Sequence, residues 1–313
     1  MGVVVVMSTY RGERFVEEQI ASILQQLPED GRLLVRDDGS GDETADRVLA
    51  IEDPRITLTR GSNLGFARSF FTLLALVPAD ADVVMLADQD DVWLPGKIDR
   101  AATAVRAQAG PALYCSRQHL VDEDLRPVAE SAHWPRGASF RNALAENIVT
   151  GCTVALNRPG LDLVLRLGDV NRIHFHDWWM YLVVSAFGTV IADPQPSMLY
   201  RQHGGNVVGR GAGVRRYLVN LRFVKQRSWV HILFNQIENF RSVHYAALAA
   251  PQRELLDRFF NPSSPAAIAR LVFWPRRYRQ TVLDDILLRI LVVAEAVFGR
   301  GLLPAASGDD TPA

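Results

Sequence analysis

The chain has 313 residues, 48% hydrophobic and 22% charged, with 34 basic and 35 acidic side chains. That composition excludes disordered, collagen-like and coiled-coil chains, and the length suits one large domain or two, either able to bury a sizeable core. Cys115 and Cys152 lie outside any C-x-x-C pattern, which excludes a disulfide scaffold or zinc ribbon and fits a reducing compartment.

Val3–Met7 is a short β-branched run and reads as a buried strand. From Arg14, the apolar positions Phe15, Ile20, Ile23, Leu24 and Leu27 recur at helical spacing until Pro28 stops the pattern. Leu33–Arg36 is a second strand, ending in Asp37-Asp38-Gly39-Ser40, and Asp42 is placed to cap the next helix. Ile56–Thr59 is a third strand; Asn63-Leu64-Gly65 and a helix through Phe70 and Leu74 follow. Val83–Leu86 is a fourth, running into Asp88-Gln89-Asp90-Asp91. Strands alternating with helices predict a mostly parallel sheet covered on both faces, with ligands at the carboxyl ends of its strands. The polar clusters Ser8-Thr9-Tyr10, Asp37-Asp38, Asn63 and Asp88 to Asp91 all fall at those ends.

Further on, Ala112–Ser116, Thr153–Leu156 and Thr189–Ala192 read as strands and Trp178–Ala186 as a helix. The chain then looks helical from Tyr217, is interrupted at Pro262 and Pro265, and ends in a helix over Val282–Phe298 and a frayed tail from Pro304. No secretory signal opens the chain, and no apolar run is long enough to span a bilayer. The charge is unevenly divided: residues 1–200 hold 18 basic against 27 acidic side chains, and residues 201–280 hold 14 against 3. A basic segment behind an acidic body predicts a polyanionic partner for the second half alone. Arg270–Arg279 mixes arginines with Phe273, Trp274 and Tyr278, a combination suited to an anionic membrane face. A soluble helical cap with solvated arginines is the alternative. No nucleic-acid-binding motif accompanies the basic segment, so no nucleic acid is expected.

Three carboxylates at one strand end repel one another, and a hard divalent cation bound by oxygen ligands beside a substrate diphosphate relieves them. A solvated acidic turn is the competing reading of Asp88 to Asp91. Neither G-x-G-x-x-G after the first strand nor a P-loop is present, which argues against dinucleotide oxidoreductases and ATP hydrolysis.

Four ordered blocks resemble the family-2 glycosyltransferases: Ser8–Glu13 with Glu18 to Gln26; Arg32–Ser40 with Asp42; Asn63-Leu64-Gly65 with Arg68; and Ala87–Trp93 with Lys97. Thr150–Thr153, His176-Asp177-Trp178 and Arg201-Gln202-His203 with Asn206 extend the likeness to about residue 206. The D-Q-D-D and R-Q-H-x-x-N forms look most like the rhamnosyltransferase-like branch, which builds bacterial cell-surface polysaccharide.

The resemblance implies an α/β fold of the GT-A type over residues 1–208, Rossmann-like and mostly parallel with flanking helices, followed by a basic helical region at 209–313. It implies a nucleotide-sugar donor, dTDP-β-L-rhamnose or else a UDP-hexose, and a saccharide or lipid-linked saccharide acceptor. It also implies a divalent metal, Mg²⁺ or Mn²⁺, and inversion at the anomeric carbon. Thr9, Tyr10 and Glu13 match the first nucleotide block, Asp37 the carboxylate that meets the base, and Asp38 its neighbour. Arg68 matches a basic residue near the diphosphate, Asp88 a sugar or ribose contact, Asp91 a supporting carboxylate, and Asp90 the metal ligand. His203 is a further candidate for the metal. Asp177 falls where the family places its general base, although His176 stands where a Glu is usual, and Asp177 also reads as a helix cap. His174 with His176 is a weaker candidate metal pair, and His133-Trp134 a candidate sugar platform. Gly204-Gly205, with Gly209, Gly211 and Gly213, reads as a mobile active-site lid or equally as a plain interdomain linker. The expected location is the cytoplasm, at the inner membrane face. A non-catalytic nucleotide-sugar-binding subunit is the alternative from another class.

Overall fold

A computed structural model describes residues 2–203, 229–259 and 265–298 of the chain. The Gly204–Gly213 segment, Asn206 and the start of the helical text at Tyr217 lie outside them. In chain order the first part runs β1 (Gly2–Thr9), α1 (Val16–Leu24), β2 (Arg32–Asp37), α2 (Thr44–Leu49), β3 (Ile56–Arg60), α3 (Phe66–Ala75), β4 (Ala81–Ala87), β5 (Val92–Trp93) and α4 (Lys97–Arg106). There follow β6 (Ala112–Val121), β7 (Pro127–Glu130), α5 (Phe140–Ala143), β8 (Ala155–Asn157), α6 (Arg158–Val164), α7 (His176–Phe187) and β9 (Thr189–Arg201). Four helices close the chain: α8 (Trp229–His244), α9 (Ala250–Phe259), α10 (Pro265–Val272) and α11 (Val282–Phe298).

The sheet order is β3-β2-β1-β4-β8-β6-β9-β5, with β7 added to β6. The first four strands are all parallel. Beyond β4 the sheet turns mixed: β8 is antiparallel to both β4 and β6, and β5 to β9, while β6 and β9 run parallel. The parallel character that the alternating strands and helices predict therefore holds for the first half only. Thr153–Leu156 also divides into a 3₁₀ turn at Gly151–Thr153 and a short strand from Ala155.

Alternation along the central strands explains why both faces are covered. Val4, Val6, Val84 and Leu86 point to one core, with α3, α7 and the C-terminal helices. Val3, Val5, Met7, Val83 and Met85 point to the other, with α1 and α4. Each such buried side chain contributes about 1.5–3 kcal/mol. Phe234, Ile237 and Phe240 of α8 belong to the first of these cores, as do Leu271 and Leu288, so the C-terminal helices share packing with the sheet. Among the described residues, no helix is long and apolar enough to cross a membrane.

Candidate active site

The site is built at the carboxyl edge of β2, β1 and β4. Thr9 lies beside Asp37 and Met7 beside Ala87 in the parallel register, which sets the ends of three adjacent strands in a row. The Thr9 hydroxyl donates to Asp37 Oδ1 at 3.2 Å, and the Ser40 amide donates to Asp37 Oδ2 at 3.0 Å, so Asp37 is held in one rotamer at the floor of the cleft. Tyr10, 40% exposed, stands at the rim.

Gln89 ties the first loop to the acidic one. Its side-chain carbonyl accepts from the Tyr10 amide at 2.8 Å, and its amide donates to the Tyr10 carbonyl at 2.9 Å. Only glycine fits opposite it: a Cβ at Gly12 would stand 2.1 Å from Gln89 Oε1. Two expected donor contacts face the protein instead. Asp38 pairs with Arg36 and accepts from the Leu64 and Gly65 amides, both at 2.9 Å. Glu13 accepts from the Glu43 amide at 3.0 Å and caps α2 together with Asp42, which accepts from Thr44. Arg68 lies on the exposed face of the first turn of α3.

The acidic loop divides by burial. Asp88 and Asp90 are half-buried, whereas Asp91 is fully enclosed. Asp90 Oδ2 meets His203 Nε2 at 2.7 Å, so the two residues expected to hold metal are in contact. Asp91 accepts from the Arg201 amide at 3.1 Å, and its other oxygen has no hydrogen-bond partner. Ligand atoms of Asp88, Asp91 and Cys152 lie within 4.8 Å of one another. Burial, then Asp90 and Asp177, push Asp88 up to about 7, against the opposing pull of Cys152 and Lys97. Burial, Asp90 and Asp88 push Asp91 well above the carboxylate range.

Asp177 is half-buried in the first turn of α7 and accepts from the next amide, Trp178, at 2.7 Å. The cap position itself is Phe175, so Asp177 serves the helix end in part and keeps an oxygen for other work. His176 turns the other way. It is 6% exposed, stacks on Phe70 at 4.4 Å and meets Phe66 edge-on at 5.8 Å. Burial lowers its basicity, and Gly151 makes room for it. His176 is thus a core residue and does not pair with His174 as a metal site. Trp134 packs on the core, with His133 exposed beside it.

Residues 4–165, just over half of the chain, match the model of glycosyl transferase family 2. The chain belongs to that family. It is 26% identical to the dTDP-rhamnosyl transferase RfbG of Shigella flexneri over 253 residues, 74% of this chain and 83% of the relative. It is 27% identical to an Escherichia coli protein named UDP-Glc:alpha-D-GlcNAc-diphosphoundecaprenol beta-1,3-glucosyltransferase WfgD, over 58% of this chain and 68% of that one. Among solved structures, TarS 1–349 of S. aureus in complex with UDP superposes with a TM-score of 0.56 at 14% identity, covering 96% of this chain and 92% of TarS. That likeness is one of fold, and the fold is the GT-A architecture.

Three residues of this family-2 site escape pattern reading. Lys97, 1% exposed at the start of α4, donates to the Cys152 carbonyl at 2.9 Å and to Ser197 Oγ at 3.2 Å, beneath Asp91. Burial lowers it to about 8, against the opposing pull of Cys152, Asp91 and Asp88. Arg201 donates to the Asp90 carbonyl at 2.8 Å, pairs with Glu18 and covers the Phe15 ring at 4.5 Å. Cys152 is buried, and burial with Asp91 and Asp88 keeps its thiol protonated. All three sit inside matching blocks, Cys152 within Thr150–Thr153, but their partners are distant in sequence and no pattern displays them.

The donor set suits a hard divalent ion. Two half-buried carboxylates repel each other, an imidazole touches one of them, and a partnerless oxygen of Asp91 lies behind. Cys152 is the one soft donor beside these oxygen and nitrogen ligands.

Proposed function

We propose that this protein is an inverting glycosyltransferase that moves a sugar from a nucleotide-sugar donor to a hydroxyl of a saccharide or lipid-linked saccharide. Its best donor reading is dTDP-β-L-rhamnose, supported by the likeness to RfbG along most of both chains. UDP-glucose or another UDP-hexose is the second reading, supported by the likeness to WfgD. The observation that carries the proposal is geometric: Asp90 meets His203 at 2.7 Å just beyond β4, while Asp37 accepts from Thr9 at the ends of the adjacent β2 and β1, so the candidate metal ligands and the candidate base contact share one edge of the sheet.

In the proposed reaction, Asp177 takes the proton of the acceptor hydroxyl as its oxygen attacks the anomeric carbon. The bond from that carbon to the diphosphate oxygen breaks on the opposite face, and the nucleoside diphosphate leaves. A rhamnoside formed from the β-linked donor is therefore α-linked. Asp37 and Thr9 meet the base, Tyr10 flanks the nucleotide, Asp88 meets the sugar or ribose, and Arg68 reaches the diphosphate. Asp38 and Glu13 brace the loops that carry these groups. Asp90 and His203 would hold Mg²⁺ or Mn²⁺, which supplies Lewis-acid stabilisation to the leaving diphosphate. Arg201 braces the acidic loop through the Asp90 carbonyl and the Asp91 carboxylate, and Lys97 braces the Cys152 carbonyl behind it.

The C-terminal helices support peripheral attachment to an anionic membrane. Val282, Ile286, Ile290 and Val293 form one exposed stripe of α11, and Phe273 is 81% exposed beside Arg270, Arg276 and Arg277. The test of the whole reading is a panel of nucleotide sugars with and without Mn²⁺. One donor should turn over, and Asp90→Ala should abolish turnover. Asp177→Asn should lower kcat by about 10²–10⁴-fold with donor affinity retained. Full turnover in either variant overturns the assignment.

A further inference from the structure

A second polar cavity lies away from the cleft, between α5 and the C-terminal helices. Its volume is about 260 Å³, and Arg136, Arg141, Arg277, Ser139, Gln252 and Tyr278 are among its walls. That is below the usual size of a whole-ligand pocket and leaves room for a small anionic group. No carboxylate lines it. Nearby Glu146 is turned to the Gln280 amide at 2.7 Å and to Arg279 at 3.7 Å. Among the described residues, Arg136, Arg141 and Arg277 form no ion pair.

Convergent guanidiniums repel, and here their other polar partners are missing too. Arg141 Nε is buried without a hydrogen bond. Tyr278 is 1% exposed, yet its hydroxyl has no partner. Two buried donors left unpaired call for a ligand that accepts hydrogen bonds. Arg141 is also pushed down by burial and by Arg276 and Arg136, as expected where positive charge lacks an anion. Arginine forks match phosphoryl oxygens in both charge and geometry.

We propose that this cavity binds a phosphate or diphosphate group. The walls come from both halves of the chain, so binding would clamp α9 and the Arg277 segment onto α5. The site is also tied to the cleft. Tyr181 lies one turn beyond Asp177 on α7, about 6 Å along the axis, and its hydroxyl accepts from the Ser139 amide at 3.0 Å. A diphosphate held here would be carried by the acceptor, or would arrive as free nucleotide or pyrophosphate. The acceptor role rests on the transferase reading above; anion binding does not.

The test is calorimetric titration of the full chain with inorganic pyrophosphate in EDTA, which needs no turnover. Wild type should show one saturable site and a higher Tm with ligand. Arg141→Gln and Arg277→Gln should each weaken binding by about tenfold, while Asp90→Ala leaves it unchanged. Tyr278→Phe should keep or raise the Tm of the free protein, since its hydroxyl bonds to nothing, and should also weaken binding. Absence of saturable binding, wild-type affinity in both folded arginine variants, or loss in Asp90→Ala would each overturn the site. Sedimentation with phosphatidylcholine vesicles, with and without phosphatidic acid, separates the sources. Loss in Arg141→Gln that requires phosphatidic acid supports a lipid-borne phosphate; loss confined to pyrophosphate supports a soluble one.

Discussion

Replacing Asp38 by alanine tests whether the second acidic residue after β2 braces the site or contacts the donor. The Arg36 and Asp38 side chains are only 5% and 4% exposed. Without the carboxylate, the Arg36 cation keeps only neutral acceptors, Ser69 Oγ at 3.0 Å and the Ser62 carbonyl at 2.9 Å. The Gly65 amide retains Asn63 Oδ1 at 3.0 Å as a second acceptor, but the Leu64 amide loses its partner. Removing one member of a buried ion pair costs about 3–5 kcal/mol. The orphaned amide overlaps with that cost, so a total of about 4 kcal/mol is the working value. For a chain of this size it lowers Tm by roughly 10 °C. Asp38→Asn keeps one acceptor and should lose about half as much. The double variant Arg36→Met with Asp38→Leu should recover most of the loss, because no buried charge is left unpaired. Thermal and urea melts measure the stability, and donor titration at low temperature measures affinity on folded protein. Asp38→Ala should bind donor within about threefold of wild type, a difference under 1 kcal/mol, whereas Asp37→Ala should not. A stable Asp38→Ala protein that has lost donor binding would refute the bracing role.

Gly12→Ala forces the Gln89 side chain off the Tyr10 backbone; it should cost about 1–3 kcal/mol and lower donor affinity, and the added change Gln89→Ala should restore stability but not affinity. Wild-type donor affinity in Gly12→Ala would remove Gln89 from the site. The pH dependence of stability should bear the mark of Asp88, which ionises near 3.8 in the unfolded chain and at about 7 in the folded one. The folded state keeps a proton that the unfolded state has released, so in EDTA its contribution is complete below pH 4, falls between pH 4 and 7, and is gone above. The slope approaches about 1.4 kcal/mol per pH unit, and Asp88→Asn should flatten it. Melts at a series of pH values check this, and an unchanged slope in the variant contradicts the assignment. Vesicle binding should fall on Ile290→Asp or Phe273→Asp and on raising salt; binding unaffected by both variants would remove α11 and Phe273 from the membrane face.

The first half of the fold is legible because its information is local. β1, β2 and β4 are buried on both faces, and such strands are written as unbroken apolar runs. Later strands are specified by partners far along the chain. β6 continues past the expected Ala112–Ser116 through Arg117-Gln118-His119, because Arg117 meets Glu130 and the Gln118 amide meets Ser131. β9 passes through Pro194 and Pro196, where two register shifts against β6 absorb the prolines. The helix over Val282–Phe298 is legible for the opposite reason: its apolar positions repeat at helical spacing whatever lies beside it.

The site shows the same divide in its charges. Acidic residues at strand ends are visible in one dimension, but the groups that permit their burial are not. Lys97 reaches the Cys152 carbonyl 55 residues away, and Arg201 reaches Asp91 across 110. Those two cations could still be anticipated in kind, because a fully enclosed Asp91 beside two more carboxylates cannot persist without buried positive charge. They do not suffice. Arg201 spends its guanidinium on Glu18 and on backbone carbonyls, and Lys97 is itself pulled down to about 8 by burial. Burial, and then the charge of Asp90, raises Asp88 to about 7, so a proton neutralises what the protein's own cations leave over. A divalent ion held by Asp90 and His203 would supply two charges beside Asp88 and favour release of that proton, which ties metal affinity to pH near neutrality.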